Sequence, residues 1–205
     1  MTTAQVFARS REGLASPDLQ LLFTPASYAL GQFGVLEKEP GMTCAICPVK
    51  PDSRGTVMAK SADPFERPAI RPNYLSARSD QELLARGLRM VREIFAQAAI
   101  TPYSVREILP GPAVQSDDEL LSFARQYGTT IYHPVGTCRM GEDPASVVDS
   151  RLRLRGIAGL RVIDASVMPR LVSTNTNAAA IMIGEKGAAM VLEDAQRRAS
   201  VHAPT

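Results

Sequence analysis

The sequence holds only three cysteines, Cys44, Cys47 and Cys138, and so odd and low a count argues against a disulfide framework and for a reducing compartment. It also lacks any apolar stretch approaching the length of a bilayer-spanning helix. Met1 is followed by polar Thr2, Thr3 and Gln5 rather than by a basic segment and a hydrophobic run. Secretion and membrane insertion are therefore unsupported, no transmembrane segment is expected, and the cytoplasm is the expected location. Charge of one sign is missing too. The 23 basic and 21 acidic residues leave a formal charge of +2 with no long single-sign run, so there is no electrostatic footprint for nucleic acid or an anionic membrane. A small molecule is the expected partner. None of the glycines falls into the GxGxxG spacing that lets a strand-to-helix turn approach a pyrophosphate. Internal repeats, low-complexity tracts and a clear linker are absent as well.

What remains is 205 residues, 45% of them hydrophobic, enough for one substantial core. Ser16-Pro17-Asp18 reads as a turn ahead of a strand at 19–23, and Thr56-Val57-Met58 is a second β-compatible run among Pro48, Pro51 and Gly55. Leu84, Leu88, Val91, Phe95 and Ala98 recur at spacings of four and three, which predicts a long helix with one apolar face turned to the core and Ser79 or Asp80 as its cap. A second helix is signalled by Ser116 with Glu119 three residues on, a capping box, and by Gly128 as its stop. Residues 129–135 are β-like, 160–163 read as a short buried strand, 178–193 as a closing helix, and the end around His202 as a frayed tail. The fold class is α+β: an antiparallel sheet with flanking helices, plus a C-terminal strand and helix that belong to a different layer.

Only two histidines are present, and His202 lies in the expected tail. His133, in Tyr132-His133-Pro134-Val135-Gly136-Thr137-Cys138-Arg139-Met140-Gly141, is thus the embedded candidate for proton transfer near neutral pH. It is either a structural histidine or a base aimed at a cavity from the end of the 129–135 strand. Ser173-Thr174-Asn175-Thr176-Asn177, just before the closing helix, serves as an N-cap, as a donor site for an anionic group, or as both. Cys44 and Cys47 suggest a redox or zinc pair. No second such pair and no histidine lies near them, and positions three apart on a strand face opposite sides, so no metal site is expected. Asp117, Asp118 and Glu119 read as a solvated helix start.

Taken together, Ser53-Arg54-Gly55-Thr56-Val57, Pro72-Asn73-Tyr74-Leu75, the His133 segment, the run from Leu160-Arg161-Val162-Ile163-Asp164-Ala165 to Met168-Pro169, and Asn175-Thr176-Asn177 with Met182-Ile183-Gly184-Glu185 resemble the glucose-methanol-choline (GMC) oxidoreductase family. The likeness is to the C-terminal part of its choline dehydrogenase-like branch. It spans nearly the whole chain, and the last three segments are specific in combination.

The resemblance implies that residues 1–158 are part of a substrate-binding domain carrying the catalytic histidine. Residues 159–195 would be a segment returning to the FAD domain, where its strand and helix would complete that domain, and 196–205 a flexible tail. It implies FAD as cofactor, His133 as the catalytic histidine, Asn175 as the second active-site residue, and Asp164, Ala165, Thr176 and Asn177 along the flavin. The family's glycine-rich dinucleotide segment has no counterpart here, so an FAD-binding N-terminal segment is expected in cis or in trans, the reading frame being truncated or a separate chain supplying it. The implied reaction oxidises a primary alcohol, choline-like, aliphatic or aromatic, to an aldehyde, with hydride passing to flavin N5. Oxygen and a quinone-like carrier both fit as acceptor. A hydroxynitrile lyase of the same fold and a non-catalytic remnant are the alternatives.

Overall fold

The computed structural model describes residues 3–29 and 34–201, and the chain divides into two compact units, residues 1–131 and 132–205. In the first, β1 (Ala4–Ala8), β2 (Leu19–Thr24) and β3 (Thr43–Pro48) form an antiparallel sheet with β2 in the middle. Leu19 and Leu21, two apart on β2, share a face and are buried, which the period of a strand requires. Gln20 points to the other face, where its Nε2 donates to Gln5 Oε1 at 3.0 Å. A small antiparallel hairpin comes next, β4 (Thr56–Met58) with β5 (Ala69–Arg71).

Helix α1 (Arg78–Phe95) packs on the sheet through Gly87. A Cβ there would come within 2.6 Å of Ile46 Cγ2 and 3.3 Å of Leu19 Cδ2, so the missing side chain is what lets the helix come down on the strands. The expected apolar face is only half-buried at Leu84, Leu88, Val91 and Phe95, and Ala98 lies beyond the helix. Nor do Ser79 or Asp80 cap it: Ala77 occupies that position. Asp80 is buried instead, its carboxylate accepting from the backbone N–H groups of Asp52 and Ser53, each at 2.8 Å. The carboxylate thereby ties a neighbouring loop to the start of the helix. Helix α2 (Asp117–Tyr127) starts with the capping box read from the sequence: Ser116 N donates to Glu119 Oε2 at 2.9 Å and Glu119 N donates to Ser116 Oγ at 3.3 Å.

The second unit has little regular structure before its last element, α3 (Asn177–Val201). Its core gathers Val148, Leu152, Val167, Met168 and Ile183. No strand forms over 129–135, contrary to the sequence reading. Tyr132 sits at φ 61° and Gly136 at φ 89°, and Pro134 has no N–H, so the run cannot hold an extended ladder despite its β-like residues. The buried strand expected at 160–163 is also corrected. It makes a single antiparallel bridge, Arg153 to Arg161, across a turn with Gly156 and Gly159 at positive φ, and Leu160 is 50% exposed. Helix α3 runs on past Glu193 to Val201, and the expected tail at 202–205, with His202, lies outside the described residues.

Charge fastens α3 to this bridge region. Arg151 reaches Glu193 and Asp194, each at 3.0 Å, and Arg161 pairs with Asp194. Partial burial works to raise the Asp194 pKa, but Arg151 and Arg161 outweigh it and hold the carboxyl below its ordinary value. Asp149 is lowered in the same way, against burial, by hydrogen bonds from Arg153 and Arg151. A carboxylate whose folded pKa lies below its unfolded value of about 3.9 contributes stability above that pH and loses it as pH falls through the folded value. We therefore expect the urea midpoint to hold above pH 5 and to fall in acid below about pH 4. Asp194→Asn should lower the neutral midpoint and flatten the acid limb; an unchanged acid limb would remove Asp194 from this role.

Candidate active site

His133 stands on the segment that opens the second unit, and backbone hydrogen bonds fix the residues C-terminal to it. Cys138 N donates to Ser166 O at 3.1 Å and Met140 N donates to Val167 O at 2.9 Å, zipping the loop onto a short 3-10 turn, Ala165–Val167. Asp164 caps that turn, its Oδ1 accepting from Ser166 N at 2.7 Å. Gly136 makes the bend possible. At φ 89° an L side chain is strained, and a Cβ would lie 3.3 Å from Met168 O. Arg139 braces the far side, donating to both oxygens of Asp143 at 2.6 and 2.8 Å and to Ser146 Oγ at 3.0 Å. Hydrogen bonds from that guanidinium hold the Asp143 carboxyl well below the usual carboxylate range.

The residues that begin α3 come to the ring from the other side. Asn175 Nδ2 lies 3.1 Å from His133 Nε2, and Thr176 Oγ1 lies 3.2 Å from His133 Nδ1. His133 and Asn175 are half-buried, whereas Thr176 is only 8% exposed. An amide nitrogen can only donate, so Nε2 accepts and carries the lone pair on the ring edge that faces Asn175. A hydroxyl brought to that edge meets an acceptor and an amide donor side by side.

Comparison with known proteins identifies the family. The sequence pattern described as GMC oxidoreductase matches residues 51–184, more than half of the chain. The chain belongs to the GMC oxidoreductase family. It is 46% identical over 186 residues to an alcohol dehydrogenase [acceptor] of Pseudomonas putida, covering 91% of this chain and 34% of that protein. It is 44% identical over 185 residues to an oxygen-dependent choline dehydrogenase of Escherichia coli O157:H7, covering 90% and 33%. Among solved structures, pyridoxine 4-oxidase from Mesorbium loti superposes with a TM-score of 0.82 at 29% identity, over 98% of this chain and 38% of that one. A fungal aryl-alcohol oxidase gives 0.73 at 28% identity, over 88% and 28%. The chain thus spans about a third of the length of these curated relatives, which are FAD-dependent oxidoreductases acting on CH–OH groups.

Of the residues singled out in this GMC chain, His133, Asn175 and Thr176 are brought together by hydrogen bonds. Asp164 and Asn177 instead stand exposed at the starts of the 3-10 turn and of α3, and Ala165 is half-buried within the turn. Sequence reasoning missed the bond from Thr176 to the ring, since nothing local marks a partner in a helix cap 43 residues away. Cys44 and Cys47 lie on β3, opposite Phe23 and Gln20. Burial raises both thiols, Cys47 to about 11 with help from Cys44, which leaves little thiolate for redox or metal chemistry. Two open depressions of about 350 and 400 Å³ are lined by residues of the first unit, and His133 lines neither.

Proposed function

We propose that this chain forms part of an FAD-dependent enzyme that oxidises a primary alcohol to an aldehyde, with His133 as the base and Asn175 as the oxygen-holding group. The observation that carries the reading is the pairing of the His133 Nε2 lone pair with the Asn175 amide donor at 3.1 Å. A substrate hydroxyl entering between them donates its proton to Nε2 and accepts from Asn175 Nδ2. His133 becomes imidazolium as the proton arrives, and the oxygen, gaining negative charge, stays held by an amide that cannot compete for the proton. Asp164, Ala165, Thr176 and Asn177 would hold FAD, which would supply the hydride acceptor for the carbinol hydrogen and so allow the aldehyde to form.

The residues present suit the electron-rich end of a flavin. Helix geometry leaves the leading N–H groups of α3 without carbonyl partners inside the helix, and Asn177 and Ala178 are exposed there. Asp164, Ala165, Thr176 and Asn177 are the residues assigned to the cofactor, mostly through backbone groups. Ile181, Met182 and Leu192 on α3 and Leu160 beside it are at least half exposed, an apolar surface suited to an FAD-binding segment supplied in cis or in trans. The relatives named for choline, aryl alcohols and pyridoxine support a substrate with a primary carbinol.

The test is anaerobic. With the chain joined to its FAD-binding segment and loaded with FAD, choline, a long aliphatic alcohol and benzyl alcohol are added in turn. Bleaching of the oxidised flavin band by any of them is the expected result. A band that persists with every alcohol, while a cyanohydrin is cleaved, would replace the oxidoreductase reading with the lyase one.

A further inference from the structure

We propose that Thr176 is a positioning residue that sets the tautomer of His133, keeping the proton on Nδ1 so that Nε2 is available as a base. The proposal rests on the reading of His133 as the base, and it assigns a second task to a residue that also begins α3. Three observations carry it. Asn175 Nδ2, a donor, faces Nε2 at 3.1 Å, which requires the lone pair there and the ring proton on the opposite nitrogen. That opposite nitrogen, Nδ1, lies 3.2 Å from Thr176 Oγ1, and a hydroxyl oxygen accepts readily from it. Thr176 is 8% exposed, so water has little access to take its place.

Geometry explains why this threonine stays in position. Its carbonyl accepts from Ala180 N at 2.9 Å, the first rung of α3, so its backbone is held by the helix while its β-branched side chain has few χ1 choices. The loop carrying His133 is zipped to residues 166 and 167 through the N–H groups of Cys138 and Met140. Ring and hydroxyl are therefore held from two separately fixed backbones. Histidine in water prefers its proton on Nε2, the wrong edge for a base that must accept there. In a neutral imidazole the bond made by one nitrogen decides the state of the other.

The test reads the ring directly. This chain holds only two histidines, His133 and His202, so a His202→Gln chain made with 15N-labelled histidine and joined to an unlabelled FAD-binding segment leaves one labelled imidazole for 15N NMR. The expected wild-type spectrum shows a protonated Nδ1 and a bare Nε2. Thr176→Val, which keeps the shape and removes the hydroxyl, should move the population toward protonated Nε2. It should also slow alcohol-dependent flavin reduction about 10- to 100-fold, the range known for losing the outer hydrogen-bond partner of a metal-binding histidine and taken here as the scale. Thr176→Ser should restore both. A wild-type ring protonated on Nε2 overturns the proposal, as does a Thr176→Val ring identical to wild type. If the tautomer follows Thr176 but His133→Ala keeps its rate, the positioning stands and the assignment of His133 as base falls.

Discussion

His133→Ala in the FAD-loaded enzyme is expected to lower alcohol-dependent flavin reduction by about two to four orders of magnitude, the usual range for a lost acid-base group. The loss should fall on the reductive step, seen in single-turnover stopped flow, because the proposed role of Nε2 is to take the hydroxyl proton in that step. Flavin binding should be unchanged, since the side chain points to Asn175 and Thr176 and the exposed first turn of α3 is left intact. Adding imidazole should restore part of the rate by supplying a mobile base. A variant that reduces flavin at near-normal rate would take His133 out of the reaction.

The largest stability effect is expected at Gly187. This residue is buried on α3, and a Cβ there would come within 2.3 Å of Ile163 Cγ2, 3.0 Å of Cδ1 and 3.1 Å of Cγ1. All three contacts fall on one β-branched side chain with few ways to turn aside. Gly187→Val should therefore cost about 1–3 kcal/mol by overpacking. One turn back, a Cβ at Gly184 meets nothing within 4 Å, and Gly184→Ala should gain about 0.5–1 kcal/mol from helix propensity. Urea midpoints of the two variants moving in opposite directions would show that α3 is held by close approach at Ile163. Equal shifts of the same sign would show that it is not.

Features set by neighbours in the sequence were legible before the fold was known. The Ser116 and Glu119 capping box needs only residues three apart, and β2 only alternating apolar positions between turns. The family-bearing segments around His133 and Asn175 were legible as well. What failed depended on distant partners. Residues 129–135 have β-like side chains, yet backbone angles at Tyr132 and Gly136 and the missing N–H of Pro134 leave them irregular. Asp80 has the chemistry of a cap but turns to loop amides 27 and 28 residues before it. The partner of His133 Nδ1 lies 43 residues on, and no local periodicity encodes such a meeting.

The seam between residues 138–140 and 166–167 has an evolutionary consequence. The segment C-terminal to His133 is fixed by main-chain N–H and carbonyl groups, which every residue except proline can supply as a donor and every residue as an acceptor. Exposed neighbours such as Pro134 and Thr137 stand outside that seam. Mutations there can recast what the surface around the histidine accepts while the main-chain seam beneath stays as it is. With His133 as the proposed base, such a scaffold would let chemistry and selectivity vary separately, a division suited to relatives named for pyridoxine, aryl alcohols and choline.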